Sequence, residues 1–246
     1  MVLRKTAGFD RQVPRKPRWF HRPRNGRLHE DVAVRVVVGL SPIVGVASSA
    51  GDLEAVCELL SALPAECAAT FIIVQHVDSG REKSLLETLA RRTTLPVVRA
   101  HDGAAMERAH VYVIGANTTL TVDGARLRVT ANPKGLHHAG DVLFGSLAKD
   151  HGHDAVGVVL SGEGSDGALG IRAIQRAGGT TFAQYPGSAR FPGMPLSAID
   201  TGCVGFVLRP DELAHELARP SGYTQTRQSS LLESFSTSFL RSPNSA

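Results

Sequence analysis

A hydroxyl, an imidazole and a carboxylate stand at the ends of three apolar runs that lie far apart in the chain. Ser49 follows Ile43-Val44-Gly45-Val46-Ala47-Ser48, and His76 follows Thr70–Gln75. Asp166 lies in Gly162-Glu163-Gly164-Ser165-Asp166-Gly167, after a Val-rich run that starts at Ala155. Ligands of an open parallel sheet bind outside the carboxyl ends of its strands, so three such positions would share one rim. Their side chains are those needed as nucleophile, general base and orienting carboxylate in acyl transfer. Ser49 sits among small residues at a strand-to-helix turn, where backbone N–H groups and the positive end of the helix dipole favour a developing oxyanion. Asp166 precedes a helix in a Gly-rich loop, a setting in which a carboxylate accepts hydrogen bonds and stays ionised.

The same residues have plainer uses. Ser and Asp before helices are ordinary N-caps, and a lone His at a strand end is commonly structural. The pattern by itself leaves the catalytic and the capping readings level. The order Ser…His…Asp also differs from the Ser…Asp/Glu…His order of α/β-hydrolases, and no G-x-S-x-G occurs. His137-His138 and His151-Gly152-His153 have no compact group of carboxylates or thiols beside them in the sequence, so no metal is expected. Neither G-x-G-x-x-G nor a P-loop is present, so nucleotide is not expected and no cofactor is implied.

The elements that must position these residues follow from hydrophobic periodicity. Strands are expected at 43–48, 70–75, 110–114, 155–161, 180–184 and 204–208, and helices at 51–62, 82–92, 142–149, 167–177, 195–201 and 211–217. Strands apolar on both faces and alternating with helices imply a parallel sheet covered on each side. Two alternating segments, 119–122 and 126–130, flank Asp123-Gly124 and read as a β-hairpin. The fold class expected is a three-layer α/β/α sandwich with a mostly parallel, doubly wound sheet and one small hairpin.

Three zones emerge: a basic, Pro-interrupted arm at 1–31, a catalytic-domain-sized zone at 32–219 and a Ser/Thr-rich tail at 220–246. The arm carries nine Lys/Arg against three acids, a net +6 that exceeds the +4 of the whole chain, so the remainder is slightly acidic. Such an arm attracts nucleic acid or anionic lipid, or is simply a solvated tail, and the second reading is preferred. No specific nucleic-acid partner is therefore expected. Cys57, Cys67 and Cys203 form an odd set without C-x-x-C, which implies neither a disulfide framework nor a zinc site. No run has the roughly 18 apolar residues of a membrane helix, and no apolar signal segment opens the chain. The cytoplasm is the simplest compartment.

At these residues the chain resembles the CheB-type chemoreceptor glutamate methylesterases, including the domain also found fused to receptor methyltransferases. Four ordered blocks carry the resemblance: Val44-Gly45-Val46-Ala47-Ser48-Ser49-Ala50-Gly51-Asp52-Leu53-Glu54-Ala55; Ile73-Val74-Gln75-His76; Gly157 through Gly167; and Gly193-Met194-Pro195. The resemblance implies that Ser49, and not Ser48, is the nucleophile, with His76 as base, Asp166 as its partner and the backbone N–H groups of Ala50 and Glu163 as oxyanion donors. It also implies a methyl-accepting chemoreceptor as protein substrate, no cofactor and, for some relatives, deamidation of glutamine. Thirty-one residues are too few for a phospho-receiver domain, so a stand-alone esterase is expected, constitutively active or gated by a separate receiver or methyltransferase partner.

Some positions depart from the family pattern. Asp52 replaces a Gly in the first turn after the nucleophile, residues 134–141 lack the family's Arg-Pro segment and look shortened, and Leu196 stands where Arg is common. These departures keep two alternatives in view: a catalytically weak receptor-binding module, and an esterase for another methyl ester.

Overall fold

A computed structural model describes residues 42–49, 53–75, 80–132 and 138–219. The arm at 1–31, the tail at 220–246, and Ala50, Asp52, His76 and residues 134–137 lie outside the described residues. The first four elements are β1 (Ile43–Ser48), α1 (Leu53–Ser61), β2 (Thr70–Gln75) and α2 (Glu82–Ala90). Next come β3 (Val97–Arg99), β4 (Val111–Val113), and the hairpin strands β5 (Thr118–Asp123) and β6 (Arg126–Ala131). The rest of the fold is α3 (Ala139–His151), β7 (Ala155–Val159), α4 (Ala168–Arg176), β8 (Thr180–Gln184), α5 (Gly193–Ile199), β9 (Phe206–Leu208) and α6 (Pro210–Leu217).

Seven strands form one sheet in the order β3-β4-β2-β1-β7-β8-β9, every neighbouring pair parallel, and β5 and β6 form a separate antiparallel pair. Successive side chains on a strand point to opposite faces, and the core divides accordingly. Val44, Val46, Phe71, Ile73, Val156 and Val158 pack with residues of α1, α2 and α6. Ala47, Ile72, Val74 and Val159 pack with residues of α3, α4, α5 and the hairpin. The result is the expected three-layer sandwich. Its large core residues are mostly Leu and Ile, with Phe71, Phe144 and Phe182 as the bulky exceptions.

Phe144 of α3 sets the spacing of the second layer. A Cβ on Gly45 would lie 2.9 Å from its ring, and one on Gly170 would lie 2.4 Å from its Cβ. Glycine at those two places lets α3 seat directly on β1 and lets α4 close against α3.

The structure departs from the periodicity in three places. The short edge strand β3 was not expected; Pro96 precedes it, and two of its three residues are exposed, so it carries little apolar signal. The hairpin turn is Gly124-Ala125 and not Asp123-Gly124, since Asp123 pairs with Arg126 in the ladder and Gly124 takes the left-handed conformation (φ +58°). The third helix starts at Ala139, three residues before the expected start, because its first N–H groups find acceptors elsewhere in the fold.

Candidate active site

β1 lies at the centre of the sheet, with β2 on one side and β7 on the other. The crossover through α1 runs one way from β1 and the later strands run the other way. The crevice between the carboxyl ends of β1 and β7 is thus the topological switch point, where doubly wound sheets bind ligands. Ser49 leaves β1 there, and the loop that carries Asp166 leaves β7 there. On the other side, Ser48 is in register with Gln75, the last residue of β2.

Tandem serines end β1, and they differ in environment. Ser48 is 4% exposed, and its hydroxyl donates to the Ser161 carbonyl at 3.1 Å. Ser49 is half-buried; its backbone N–H donates to the same carbonyl at 3.3 Å, and its own carbonyl accepts from Gln75 Nε2 at 2.6 Å. Both the N–H and the carbonyl of Ser49 are therefore held, by Ser161 just past β7 and by Gln75 of β2.

The loop after β7 meets this turn at Gly162. A Cβ on Gly162 would lie 2.7 Å from Ser49 Cβ and 2.2 Å from Met194 Sδ, so only glycine fits between them. Gly162 N–H donates to the Phe191 carbonyl at 2.9 Å, and Met194 N–H donates to the Gly162 carbonyl at 2.8 Å. Beneath it, fully buried Ser161 donates its N–H to Gln184 Oε1 at 2.8 Å, and its hydroxyl accepts the Phe191 N–H at 2.9 Å. The Gly193-Met194-Pro195 block is thus the buttress on which the 162–167 loop rests. Glu163 is exposed within that loop, and Gly164 and Gly167 bend it with φ of +84° and +91°.

Asp166 is half-buried, and both of its carboxylate oxygens are used. Oδ2 accepts the Gly140 N–H at 2.9 Å and Oδ1 accepts the Asp141 N–H at 3.0 Å, at the N-terminus of α3. These are charge-assisted bonds at the positive end of a helix dipole. They also start α3 early, since its N-cap His138 makes no side-chain cap bond. Gly140 in turn packs on β1, where an added Cβ would come within 2.8 Å of Ala47 Cβ. The carboxylate is therefore tied, through one glycine, to the strand that carries Ser49.

Burial pushes the Asp141 carboxyl above the ordinary range, and the nearby Asp166 charge adds to this; the Gly170 N–H opposes it. His138 Nδ1 lies 3.6 Å from Asp141 Oδ2. Among the described residues, His138, Asp141 and Asp166 place ligand atoms within 4.8 Å of one another, a spacing a cation could bridge. Two other histidines singled out in the sequence have structural neighbours: His151 Nε2 lies 3.1 Å from the Gly124 carbonyl and His153 Nε2 lies 3.3 Å from Asp154 Oδ1.

Of the sequence-derived residues, the structure brings Ser49 into contact with the Gly162 turn and anchors Asp166 at the head of α3. His76 and Ala50 lie outside the described residues. Gly140, Asp141, Gly162, Ser161 and Gln75 were not singled out beforehand for the roles they take here.

Fold and rim together define the class: a doubly wound α/β sandwich with its polar loops gathered at the switch point. The chain belongs to the CheB methylesterase family, whose family model matches residues 44–217. It is 39% identical over 180 residues to protein-glutamate methylesterase/protein-glutamine glutaminase 3 of Anaeromyxobacter dehalogenans, covering 72% of this chain and 53% of that protein. It is 34% identical over 227 residues to the protein-glutamate methylesterase/protein-glutamine glutaminase of group 3 operon of Rhizobium meliloti, covering 87% of this chain and 63% of that protein. The CheB methylesterase catalytic domain of Thermotoga maritima superposes with a TM-score of 0.66 at 25% identity, over 73% of this chain and 98% of that one. The chain spans about half the length of most of the curated relatives it matches. Among the described residues no helix is long and apolar enough to cross a membrane.

Proposed function

We propose that the chain is a serine hydrolase that removes methyl groups from glutamate γ-methyl esters on chemoreceptors. Ser49 is the nucleophile, His76 the general base and Asp166 the carboxylate that orients it; the N–H groups of Ala50 and Glu163 receive the oxyanion. The observation that carries this reading is the convergence at the switch point. The Ser49 turn and the Asp166 loop come from adjacent strands, and β2, whose next residue in the chain is His76, ends in register with Ser48 on the other side.

Chemistry follows from those positions. As Ser49 Oγ attacks the ester carbonyl, its proton passes to His76, and the imidazolium is stabilised by Asp166. The tetrahedral oxyanion collapses, the C–O bond to methoxide breaks and His76 returns the proton, releasing methanol. Water then gives its proton to His76, attacks the acyl-enzyme and leaves a free glutamate on the receptor and a restored Ser49. Against a glutamine side chain the same steps release ammonia, in keeping with the glutaminase in the relatives' names. No step calls for a metal or organic cofactor. Asp166 is suited to its role because two amides fix its direction while leaving each oxygen a further lone pair for an imidazole N–H. The cytoplasm is the compartment this reading implies, and a separate receiver or methyltransferase is the partner class that would gate it.

Methanol release from a methylated chemoreceptor, measured beside release from small methyl esters, tests the proposal. Receptor turnover that is lost in Ser49→Ala supports it. Turnover of small esters alone would reassign the substrate, and tight receptor binding without turnover would make the chain a binding module.

A further inference from the structure

The two helices that flank the site, α3 and α4, both begin without a cap of their own. The α3 N-cap is His138 and the α4 N-cap is Gly167, and neither makes a side-chain cap bond. Each helix takes a carboxylate from the other side instead. Asp166, one residue before the α4 N-cap, accepts the second and third N–H groups of α3, those of Gly140 and Asp141. Asp141, the third residue of α3, sends its Oδ1 back to the third N–H of α4, that of Gly170, at 2.8 Å. The exchange closes a ring: Asp166 holds α3, and α3 through Asp141 holds the helix that begins just after Asp166.

Glycine makes the ring possible. A Cβ on Gly140 would stand 3.1 and 3.2 Å from the Asp166 oxygens, and one on Gly170 would strike Phe144 at 2.4 Å. Asp141 itself is an expensive choice. Its side chain is only 12% exposed, it lies beside a second carboxylate, and a neutral Asn of the same shape is an equally ordinary acceptor for a helix N–H. His138, 58% exposed, is too solvated to offset much of that cost.

Resting on the esterase reading above, we infer that Asp141 is a positioning residue for the reaction. By holding the Gly170 N–H it locks the start of α4 to the start of α3, and so fixes where the Asp166 carboxylate points. Asp141 touches no substrate; it acts only through Asp166. A displacement near 1 Å at a catalytic group costs on the order of 100-fold in rate, and the Asp141–Gly170 bond is what prevents such a displacement between the two helix starts.

The test compares full-length wild type with Asp141→Ala, Asp141→Asn, Asp166→Ala and the Asp141→Ala/Asp166→Ala double variant. It measures kcat and KM for methanol release and the rate of fluorophosphonate labelling at Ser49. The inference expects Asp141→Ala to lose up to about 100-fold in kcat and labelling rate, with KM little changed. Asp141→Asn keeps an acceptor for Gly170 and recovers most of the rate. In the Asp166→Ala background Asp141→Ala has no further effect beyond about twofold, the scatter of additive mutations. A folded Asp141→Ala that labels at the wild-type rate overturns the inference. So does a full additional loss in the double variant, or an Asn variant as slow as Ala. If Asp141→Ala does not fold by circular dichroism, Asp141→Ser, whose hydroxyl stops one bond short of Gly170, takes its place with the same expectations. Wild type that fails to label at Ser49 refutes the esterase reading, and this inference with it. Wild type that labels while the Asp141 variants behave otherwise than expected refutes only the inference.

Discussion

Gly162→Ala is the sharpest perturbation the structure offers. The added methyl would lie 2.7 Å from Ser49 Cβ, 3.1 Å from Ser49 N and 2.2 Å from Met194 Sδ. Carbon atoms rest comfortably at about 3.5–4.0 Å. Met194 is unbranched and its sulfur can swing aside, but Ser49 Cβ cannot, because the Ser49 peptide is held by Ser161 and Gln75. The Gly162 loop must therefore back away from Ser49 by about 1 Å. Overpacking of this kind costs about 1–3 kcal/mol, which for a domain of this size lowers Tm by about 2–4 °C per kcal/mol. The same 1 Å displacement costs on the order of 100-fold in kcat, a far larger proportional effect. Gly164→Ala is the control. It has φ +84° and open space around its Cβ, so it strains the backbone by about 1–2 kcal/mol without crowding Ser49. The assay is methanol release with a thermal melt of each variant. The expected result is similar loss of Tm in both variants, and a 100-fold loss of kcat that is much larger in Gly162→Ala. A folded Gly162→Ala with wild-type kcat would refute the claim that the backbone of this loop abuts a catalytic Ser49.

Four further outcomes follow from the same geometry. Ser49→Ala abolishes ester turnover, while Ser48→Ala keeps it and loses about 1 kcal/mol of stability with its hydrogen bond to Ser161, checked by activity assay and denaturant melt. Asp166→Ala lowers kcat by roughly 10⁴-fold, and it also lowers stability by about 0.5–2 kcal/mol because α3 loses its cap, a pairing that steady-state kinetics and a urea melt together reveal. Asp141 has a folded pKa raised above its unfolded value, so the folded state binds its proton more tightly, and stability falls as pH rises from the unfolded toward the folded value. Asp141→Asn therefore raises Tm at pH 7, and melts across pH 3–7 should show that gain shrinking toward the acid end. EDTA leaves the rate of methanol release unchanged, since no proposed step uses a cation at His138, Asp141 and Asp166.

The fold was legible where a single element decides its own fate. β1, β2 and β8 run over the residues expected for them, since a strand paired on both sides and covered on both faces buries nearly all of its short run. Reading failed where a distant residue decides. Nothing in the segment around Ala139 announces a helix start, because the acceptor that begins α3 is Asp166, 26 residues from Gly140. β3 was missed because an exposed edge strand of three residues has no face to pattern. At the site, Ser49 and Asp166 stood out through the rule that chemistry gathers at strand ends. The reciprocal bond from Asp141 to Gly170 did not, since it depends on two helices packing closely enough for each to reach the other's first turn.

The central claim is that Ser49 is a nucleophile activated at this rim, and one measurement addresses it directly. The full-length protein is treated with a fluorophosphonate probe, digested, and the adduct located by mass spectrometry in wild type, Ser48→Ala, Ser49→Ala and His76→Ala. The account predicts a single adduct on Ser49, present in Ser48→Ala, absent in Ser49→Ala and strongly slowed in His76→Ala. An adduct on another residue that persists in Ser49→Ala, or labelling of Ser49 indifferent to His76, would contradict it.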